Sequence, residues 1–377
     1  MIQRSISLLC LCLMTSLTFG QSYWSKTNIN TFRFATEQDQ IVIPSSYEAY
    51  TLDLNRVKSD LATAPHKSER QGIQGTLMDI PMPNGTFEKF EIYEAPVMAQ
   101  GLSAKFPMIK SYKGISVDRR SMNMRISVSS YGFHAAINDG GQTYYIDPYS
   151  KGNLDQYVVY NVADQESDLL VPSCGVTDDF DKFHSTGNII TRSTGDNIPL
   201  RKYRFAIACT GEWGAIRGTP ENAMSDFNIA VNRINQIYEN ELAITLEIVE
   251  NNELLLNFDG ATDEYSISFQ NPTNPNSSQD EGNAISNNTG IINGKIGANS
   301  YDVGHIFHTG NCNVGGLAFL GSMCNFNKAG GLTCQGGSNI SFTAASTTAH
   351  EIGHMMSAQH TFNHCDQDNE SPNNGFE

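Results

Sequence analysis

The stretch TTAHEIGHMMSAQHTF, residues 347 to 362, has the residue types and spacing most able to do chemistry. His350 and His354 are four residues apart, so on a helix their side chains lie about 40° apart around the axis and one turn apart along it. Both imidazoles can therefore reach one metal ion, and zinc accepts neutral imidazole. Glu351 follows the first histidine, where a carboxylate could take a proton from a water molecule that zinc acidifies. The pattern predicts zinc-assisted hydrolysis.

A catalytic zinc site needs a third protein ligand, and His360 is the candidate. On a continuous helix, His360 would lie roughly 9 Å beyond His354 and about 240° around the axis, too far to share the ion. The helix is therefore predicted to end soon after Met356, with a sharp chain reversal. Glycine suits such a reversal because it takes positive φ freely, and Ser357 there costs about 1–2 kcal/mol. Zinc binding is worth about 10–16 kcal/mol in small structural peptides, so we expect the site to survive the serine.

The motif HEIGHMMSAQH resembles that of the metzincin zinc peptidases, and the region around it resembles the reprolysin-type (adamalysin-like) branch found in secreted bacterial metallopeptidases. GLAFLGSMC (316–324) is similar to the edge-strand segment that reprolysins carry shortly before their zinc helix. RKYRFAIACTGEW (201–213) is similar to the opening strand of the bacterial members. The resemblance covers about 200–377 well and the N-terminal region loosely. It implies an α/β (α+β) catalytic domain with a mixed sheet and a zinc-binding helix.

The resemblance also implies roles for single residues. His350, His354 and His360 would bind one zinc ion, and Glu351 would be the catalytic base. The edge strand would pair with extended substrate in antiparallel fashion; its residues are Gly316, Leu317, Ala318, Phe319 and Leu320. The chain departs from the family in having Ser357 for its glycine and in lacking the methionine-containing turn that underlies the zinc in metzincins. We therefore expect the catalytic domain, 196–377, to be cut short at its C-terminus.

VPSCGVTDD (171–179) is similar to the cysteine-switch segment of metzincin propeptides, Pro-x-Cys-Gly-Val. A thiolate is a good zinc ligand, so Cys174 delivered by a propeptide would take the position of the water and block catalysis. The alternative is a structural disulfide, since cysteines of an exported protein are first interpreted as disulfide partners. The five later cysteines are Cys209, Cys312, Cys324, Cys334 and Cys365.

The first twenty residues predict export. They contain one early arginine, an apolar core from Ile6 to Leu17 and small residues before an expected cleavage near Gly20, the pattern of a signal peptide. A retained membrane anchor is disfavoured because the apolar stretch is well short of ~20 residues. The formal charge of -16 argues against nucleic acid or an anionic membrane as a partner. We expect a secreted protein with no membrane span after signal removal.

The periodicity of the chain changes near residue 200. Residues 21–195 hold short β-like runs between turns and are predicted to be a β-rich prodomain; examples are 87–95, 124–137, 142–150 and 156–163. The polar, glycine-punctuated stretch 185–199 is predicted to be a linker. Beyond it, Thr219-Pro220-Glu221 begins a predicted helix, with apolar residues three and four apart. The remaining predictions are that helix at 221–242, strands at 201–213, 243–250 and 301–310, and a candidate second helix between 270 and 300.

Two other groups of residues are of types that can bind metals, but their spacing does not favour a metal site. His305 and His308 are three apart on a strand, hence on opposite faces, and cannot jointly bind one metal. They are interpreted as structural histidines. Asp259, Asp263 and Glu264 could join a calcium (Ca²⁺) site, but their spacing fits no known calcium loop, so calcium has no support.

These features together predict a secreted zinc endopeptidase made as a zymogen. Its own prodomain would be the inhibitor, and a protein or peptide would be the substrate. The alternative, from a different functional class, is a non-catalytic secreted binding or adhesion protein whose zinc site has become structural. The intact Glu351 and a fourth zinc position left for water argue against that alternative.

Overall fold

Two β-sheets, one from each half of the chain, organise the molecule. The computed structural model describes residues 22–32, 44–150, 152–165, 174, 199–265, 267, 278–310, 312, 314–335 and 342–360. The predicted signal peptide, nearly all of the predicted linker and Cys365 lie outside these residues. Within them, no helix is long and apolar enough to cross a membrane.

Nine strands joined by antiparallel pairings form the N-terminal sheet, in the order β1-β2-β9-β8-β7-β6-β5-β4-β3. The strands and the two helices among them are β1 (Trp24–Lys26), β2 (Glu48–Leu52), α1 (Leu54–Leu61), β3 (Thr76–Pro81), β4 (Phe87–Glu94), α2 (Gln100–Lys105), β5 (Lys110–Ser116), β6 (Asn123–Ser129), β7 (Gly132–Asp139), β8 (Gln142–Pro148) and β9 (Gln156–Asn161). The predicted run 124–137 thus contains two strands, with a reversal before Gly132 at φ 98°. A β-rich N-terminal region is confirmed.

The two faces of the N-terminal sheet differ in polarity because side chains alternate along each strand. In β6, Met124, Ile126 and Val128 point into an apolar core that α1 covers with Leu54, Val57 and Leu61. The alternate residues of the same strand are Asn123, Arg125, Ser127 and Ser129. This second, polar face is turned toward the C-terminal half of the chain.

The C-terminal sheet has five strands in the order β11-β10-β12-β14-β13, all parallel except the edge strand β13. Its elements are β10 (Arg201–Cys209), α3 (Gly211–Arg217), α4 (Pro220–Glu241), β11 (Ile244–Ile248), α5 (Ser278–Ile296), β12 (Val303–Thr309), β13 (Gly316–Ala318), β14 (Gly331–Gln335) and α6 (Phe342–Met355). Helices α4 and α6 cover one face and α5 covers the other. The mixed α/β architecture is confirmed.

The sequence prediction was wrong about where the first of these strands ends. A strand was expected over 201–213, but β10 stops at Cys209 and α3 follows. Thr210 caps α3, since its side chain accepts a hydrogen bond from the backbone N–H of Trp213. Apolar residues lie on both sides of this junction, and a short apolar run is compatible with either a strand or a buried helix. The sequence pattern therefore does not show where the strand ends and the helix begins.

Helix α4 follows its prediction closely. Thr219 caps it, Pro220 occupies its first turn, and Phe227, Val231 and Ile234 are buried on one face. Leu242, which the spacing put on the same face, is 40 % exposed because the helix ends at Glu241. This apolar face fixes α4 against the sheet beside α6.

Candidate metal centre

Helix α6 ends where the third histidine requires it to end. The last helical residue is Met355, and Ser357 follows with a φ of 75°. The backbone N–H of Ser357 donates to the carbonyl of His354 at 2.8 Å, and that of Ala358 donates to Gly353 at 2.9 Å. These bonds close the helix end in the way a left-handed residue normally does. The predicted reversal is confirmed, with serine in the conformation that favours glycine.

The reversal brings three imidazoles to one point. The Nε2 atoms of His350, His354 and His360 lie 2.9, 3.1 and 3.2 Å apart. Zinc at ~2.0–2.1 Å from each nitrogen, in tetrahedral geometry, would separate two such nitrogens by roughly 3.3–3.4 Å. The three nitrogens therefore converge as the ligands of a single ion do, and this donor set suits zinc.

The protonation of the imidazoles suits a metal as well. Burial, together with the neighbouring His354 and His360, lowers the pKa of His350 to about 4, so this ring is neutral at pH 7. His354 Nδ1 lies 2.7 Å from the carbonyl oxygen of Ala358. A carbonyl can only accept, so Nδ1 carries the proton and Nε2 keeps its lone pair for the shared point.

Cys174 lies at the same point. Its Sγ is 3.5 Å from His354 Nε2, and the four ligand atoms all lie within 4.8 Å of one another. A sulfur ~2.3 Å from a tetrahedral zinc would lie about 3.5 Å from each nitrogen ligand. Cys174 forms no disulfide with a described cysteine, and its backbone forms an isolated parallel β-bridge with Gly316 of the edge strand. The thiol and the three imidazoles thus form a four-donor set.

Glu351 is buried beside these donors, 1 % exposed. Neither carboxylate oxygen has a well-formed hydrogen bond in the described part of the chain, the Cys174 thiol being a weak donor near them. Burial raises the pKa of Glu351 to about 8, and the thiol opposes that rise. A Cβ on Gly316 would lie 2.2 Å from Glu351 Oε1, so only glycine leaves room for this carboxylate. The sequence did not indicate that role for Gly316.

Residues 224–361 match the family model of the M12B reprolysin-like metallopeptidases. This region is a reprolysin-like peptidase. The chain is a zinc metallopeptidase, and its family acts on proteins or peptides. Among solved structures, metalloproteinase-II from Bacteroides fragilis is similar over 83 % of this chain and 88 % of that chain, at 11 % identity and a TM-score of 0.43.

Neighbouring segments hold the metal-site helix of the peptidase in place. The backbone N–H of Gly321 donates to the carbonyl of His354, and that of Met323 donates to Met355, each at 2.9 Å. The loop after β13 thus supplies a donor to the Met355 carbonyl and a second donor to the His354 carbonyl, which also accepts from Ser357. On the other side, the Tyr238 hydroxyl of α4 donates to the carbonyl of Ala349 at 2.6 Å. These contacts join residues far apart in sequence, and no motif signals them.

Of the described residues of the peptidase, His305 and His308 are separated, as predicted. His305 is fully buried, with Nε2 2.7 Å from Thr333 Oγ1, and burial lowers the pKa of His305 to about 3. His308 Nδ1 lies on the other side of the sheet, 2.9 Å from Thr210 Oγ1. Beside His308, Cys312 and Cys334 form a disulfide with a Cα–Cα distance of 6.2 Å.

The acids considered for calcium are engaged in local contacts. Asp263 accepts backbone hydrogen bonds from Gly211 at 2.5 Å and from Tyr265 at 3.0 Å. Glu264 forms an exposed ion pair with Lys295, and Asp259 accepts from the backbone of Ala261. These contacts order the loop after β11, and calcium stays an unsupported option.

Proposed function

We propose that this zinc metallopeptidase is an endopeptidase exported as a zymogen, with Cys174 closing its metal site. The observation that carries the proposal is the convergence of the Cys174 thiol with the Nε2 atoms of His350, His354 and His360. The three histidines would hold the zinc in the active enzyme, and the thiol would take the fourth position in the precursor. Four protein ligands leave no place for water, and three leave one.

Glu351 would move the proton during peptide hydrolysis. Zinc, when bound, lowers the pKa of a coordinated water to ~7 and polarises a carbonyl. The charge of a bound zinc would lower the pKa of Glu351 and favour its ionised form. The carboxylate would then accept the proton of the attacking water and donate it to the nitrogen of the leaving amine. Its burial against Gly316 holds the carboxylate in one place, so no rearrangement is needed before the transfer.

The edge strand β13 would bind the substrate. It is the last strand of the sheet, so a row of its backbone groups faces outward and can pair with an extended peptide. We expect a substrate to pair antiparallel with residues Gly316, Leu317, Ala318, Phe319 and Leu320. Cys174 bridges Gly316 in the parallel direction instead. A segment that runs the opposite way does not present a peptide bond as a substrate would, which fits an inhibitory rather than a cleaved segment.

Export is part of the proposal. The signal-peptide pattern supports it, and so does the Cys312–Cys334 disulfide, since such bonds persist chiefly in oxidising compartments. In this interpretation residues 21–195 are the prodomain and the peptidase domain begins near residue 196.

A peptidase assay on the full-length protein, after its N-terminal part has been digested away, tests the catalytic part. Cleavage of a denatured protein should require zinc, stop with a chelator, and fall at least about 10³-fold in Glu351→Gln at unchanged zinc content. Activity that survives the chelator, or a Glu351→Gln enzyme as fast as the wild type, would contradict the assignment.

Latency is tested separately with Cys174→Ala. The precursor with this change should be active without processing, because the fourth position is open to water. Ser173→Ala, a neighbouring substitution that leaves the thiol in place, is the matched control and should stay latent. If Cys174→Ala is as latent as the wild type, the cysteine block is wrong although the catalytic assignment stands.

A further inference from the structure

The contact between the N-terminal sheet and α4 is buried yet almost entirely polar. Seven polar side chains of α4 are buried, and five of them bond to the N-terminal half: Ser225, Asn228, Asn232, Arg233 and Gln236. The facing side of the sheet contributes five more: Ser111, Arg125, Ser127, Ser129 and Asp147. Such residues are normally buried only when they find partners.

Asn232 is the centre of this polar contact. Its amide nitrogen lies 2.9 Å from Ser111 Oγ and 2.7 Å from Ser127 Oγ, and donates to both. Its amide oxygen accepts from Arg125 Nη1 at 3.1 Å. Asn228 adds a second donor to Ser111, at 2.8 Å. One asparagine thus joins α4 to two strands of the sheet.

Two buried ion pairs flank the asparagine. Arg125 of β6 pairs with Glu239 of α4, which Lys113 also contacts at 3.0 Å. On the other side, Arg233 of α4 pairs with Asp147 of β8 at 2.5 Å. The side chains of Arg125, Glu239, Arg233 and Asp147 are each at most 6 % exposed. Each pair joins the sheet to α4. In the first pair the sheet supplies the cation and α4 the anion, and in the second pair these roles are reversed. The sheet can therefore form both pairs with α4 in only one orientation.

A second contact extends the C-terminal sheet at its far edge. The backbone N–H of Ile248 in β11 donates to Val97 at 2.7 Å, and that of Ala99 donates to Ile248 at 2.8 Å. The N-terminal half thus forms an isolated parallel β-bridge with β11, between Met98 and Ile248. This edge is four strands away from β13, where Cys174 lies.

We propose that the polar face of α4 and the edge of β11 form a docking surface for the N-terminal sheet that works without Cys174. Interfaces between partners that separate are more polar than permanent ones, because each surface must also be stable in water. On α4 and the facing sheet, both surfaces carry groups that water can satisfy after separation. Beside β11 the contact is apolar, because Val97, Met98 and Leu102 are buried in one core with Ile248, and this burial strengthens the association. Cutting the linker therefore leaves the two parts associated, and release of the N-terminal part is a separate step. This docking rests on the proposed zymogen, but its test measures the association of the two parts and not peptidase activity.

The test cuts the full-length chain at one place. A recognition sequence for a specific protease is inserted between Gly187 and Asn188, in a Glu351→Gln background that prevents self-digestion. After cleavage, size-exclusion chromatography and dilution of a fluorescent derivative measure the association of the two parts. We expect them to co-migrate at micromolar concentration, and to do so equally with Cys174→Ala. Separation in Cys174→Ala but not with Cys174 would show that the thiol alone joins them, and would overturn the proposal.

Matched variants assign the association to the docking surface. Glu239→Gln leaves Arg125 buried without its charge partner and should weaken association at least about a hundredfold. Glu247→Gln removes an acid of the same type from β11, where it forms an exposed pair with Lys202, and should change little. Equal dissociation constants for the two variants would contradict the assignment. If Glu239→Gln does not fold, the co-migration of the cut Cys174→Ala chain still decides the proposal.

Discussion

At the scale of single residues, Ser357 is a non-glycine residue in a backbone conformation that favours glycine. It holds a φ of 75° at the end of α6, where a non-glycine residue costs about 1–2 kcal/mol. The two backbone bonds that close the turn and the three converging imidazoles fix this conformation. Zinc binding exceeds that cost several-fold on the scale of structural zinc peptides. The serine is thus compatible with the geometry that a catalytic site requires.

Replacing Ser357 with glycine should stabilise the zinc-loaded protein by up to about 1 kcal/mol. Relief of the left-handed strain outweighs the extra freedom that glycine gives the unfolded chain. Thermal unfolding with zinc measures the change, with Ala358→Gly as the control, since that residue has no positive φ to relieve and should not gain stability. A lower melting temperature for Ser357→Gly would refute the strain argument.

Gly316→Ala should slow catalysis without removing zinc. The added Cβ would displace the carboxylate of Glu351, and a displacement near 1 Å can cost roughly 10²-fold in rate. We expect kcat/KM to fall roughly 10- to 100-fold in a Cys174→Ala background, with zinc content unchanged because no histidine moves. Gly290→Ala on α5 is the control, because nothing lies within 4 Å of its added Cβ. Full activity in Gly316→Ala would show that Glu351 needs no such room.

At the scale of elements, a line of buried hydroxyls ties the metal-site helix to the sheet. Thr333 of β14 lies 2.7 Å from His305 Nε2 in β12 and 2.9 Å from Thr348 Oγ1 in α6. All three side chains are fully buried. One hydroxyl therefore fixes the registers of two strands and of the helix that carries His350, His354 and Glu351.

Thr333→Val should lower the free energy of unfolding by about 2 kcal/mol. The substitution keeps the shape but leaves His305 and Thr348 without a partner at that position, and each buried unsatisfied group costs ~1–3 kcal/mol. Urea unfolding measures the loss. Thr333→Ser, which retains the hydroxyl, should lose clearly less, and equal losses in the two variants would contradict the hydrogen-bonding role.

At the scale of the whole molecule, buried charges join the two halves. Burial alone would raise the pKa of Asp147, but Arg233 outweighs it, together with His134 and Tyr160, and the pKa falls to about 2. Burial opposes the same change in Glu239, where Arg125 and Lys113 lower the pKa to about 2. Both carboxylates are therefore more acidic in the folded chain than in the unfolded chain, where such groups titrate near ~4.

The association of the two halves should weaken in acid. Because the folded pKa values lie below the unfolded ones, the stabilisation is complete above about pH 4–5 and is lost as the pH falls toward 2. Each group then contributes roughly 2–3 kcal/mol to the pH dependence of the free energy of unfolding. Urea unfolding at pH values from 7 to 2.5 measures this pH dependence. In Glu239→Gln the free energy of unfolding should change less with pH, because the contribution of Glu239 is absent. A variant with the wild-type slope would show that the ion pair does not produce the effect.

The sequence by itself predicted the candidate metal site and the elements with a strong local period. His350, Glu351, His354 and His360 were found because helix geometry and the need for a reversal depend on residues within one short segment. Helix α4 was found for the same reason. The junction after Cys209 was misjudged because a short apolar run does not distinguish a strand from a buried helix.

Only the tertiary structure decided which distant residues meet. The approach of Cys174 to the imidazoles, the room that Gly316 leaves for Glu351, and the docking of a polar sheet on α4 all join segments that are 35 or more residues apart in sequence. Such contacts depend on the order of the strands and on which faces pack together. Neither produces a periodic pattern in the local sequence. A buried polar residue on α4 looks like a solvent-facing one in the sequence, because only its partner across the interface distinguishes the two.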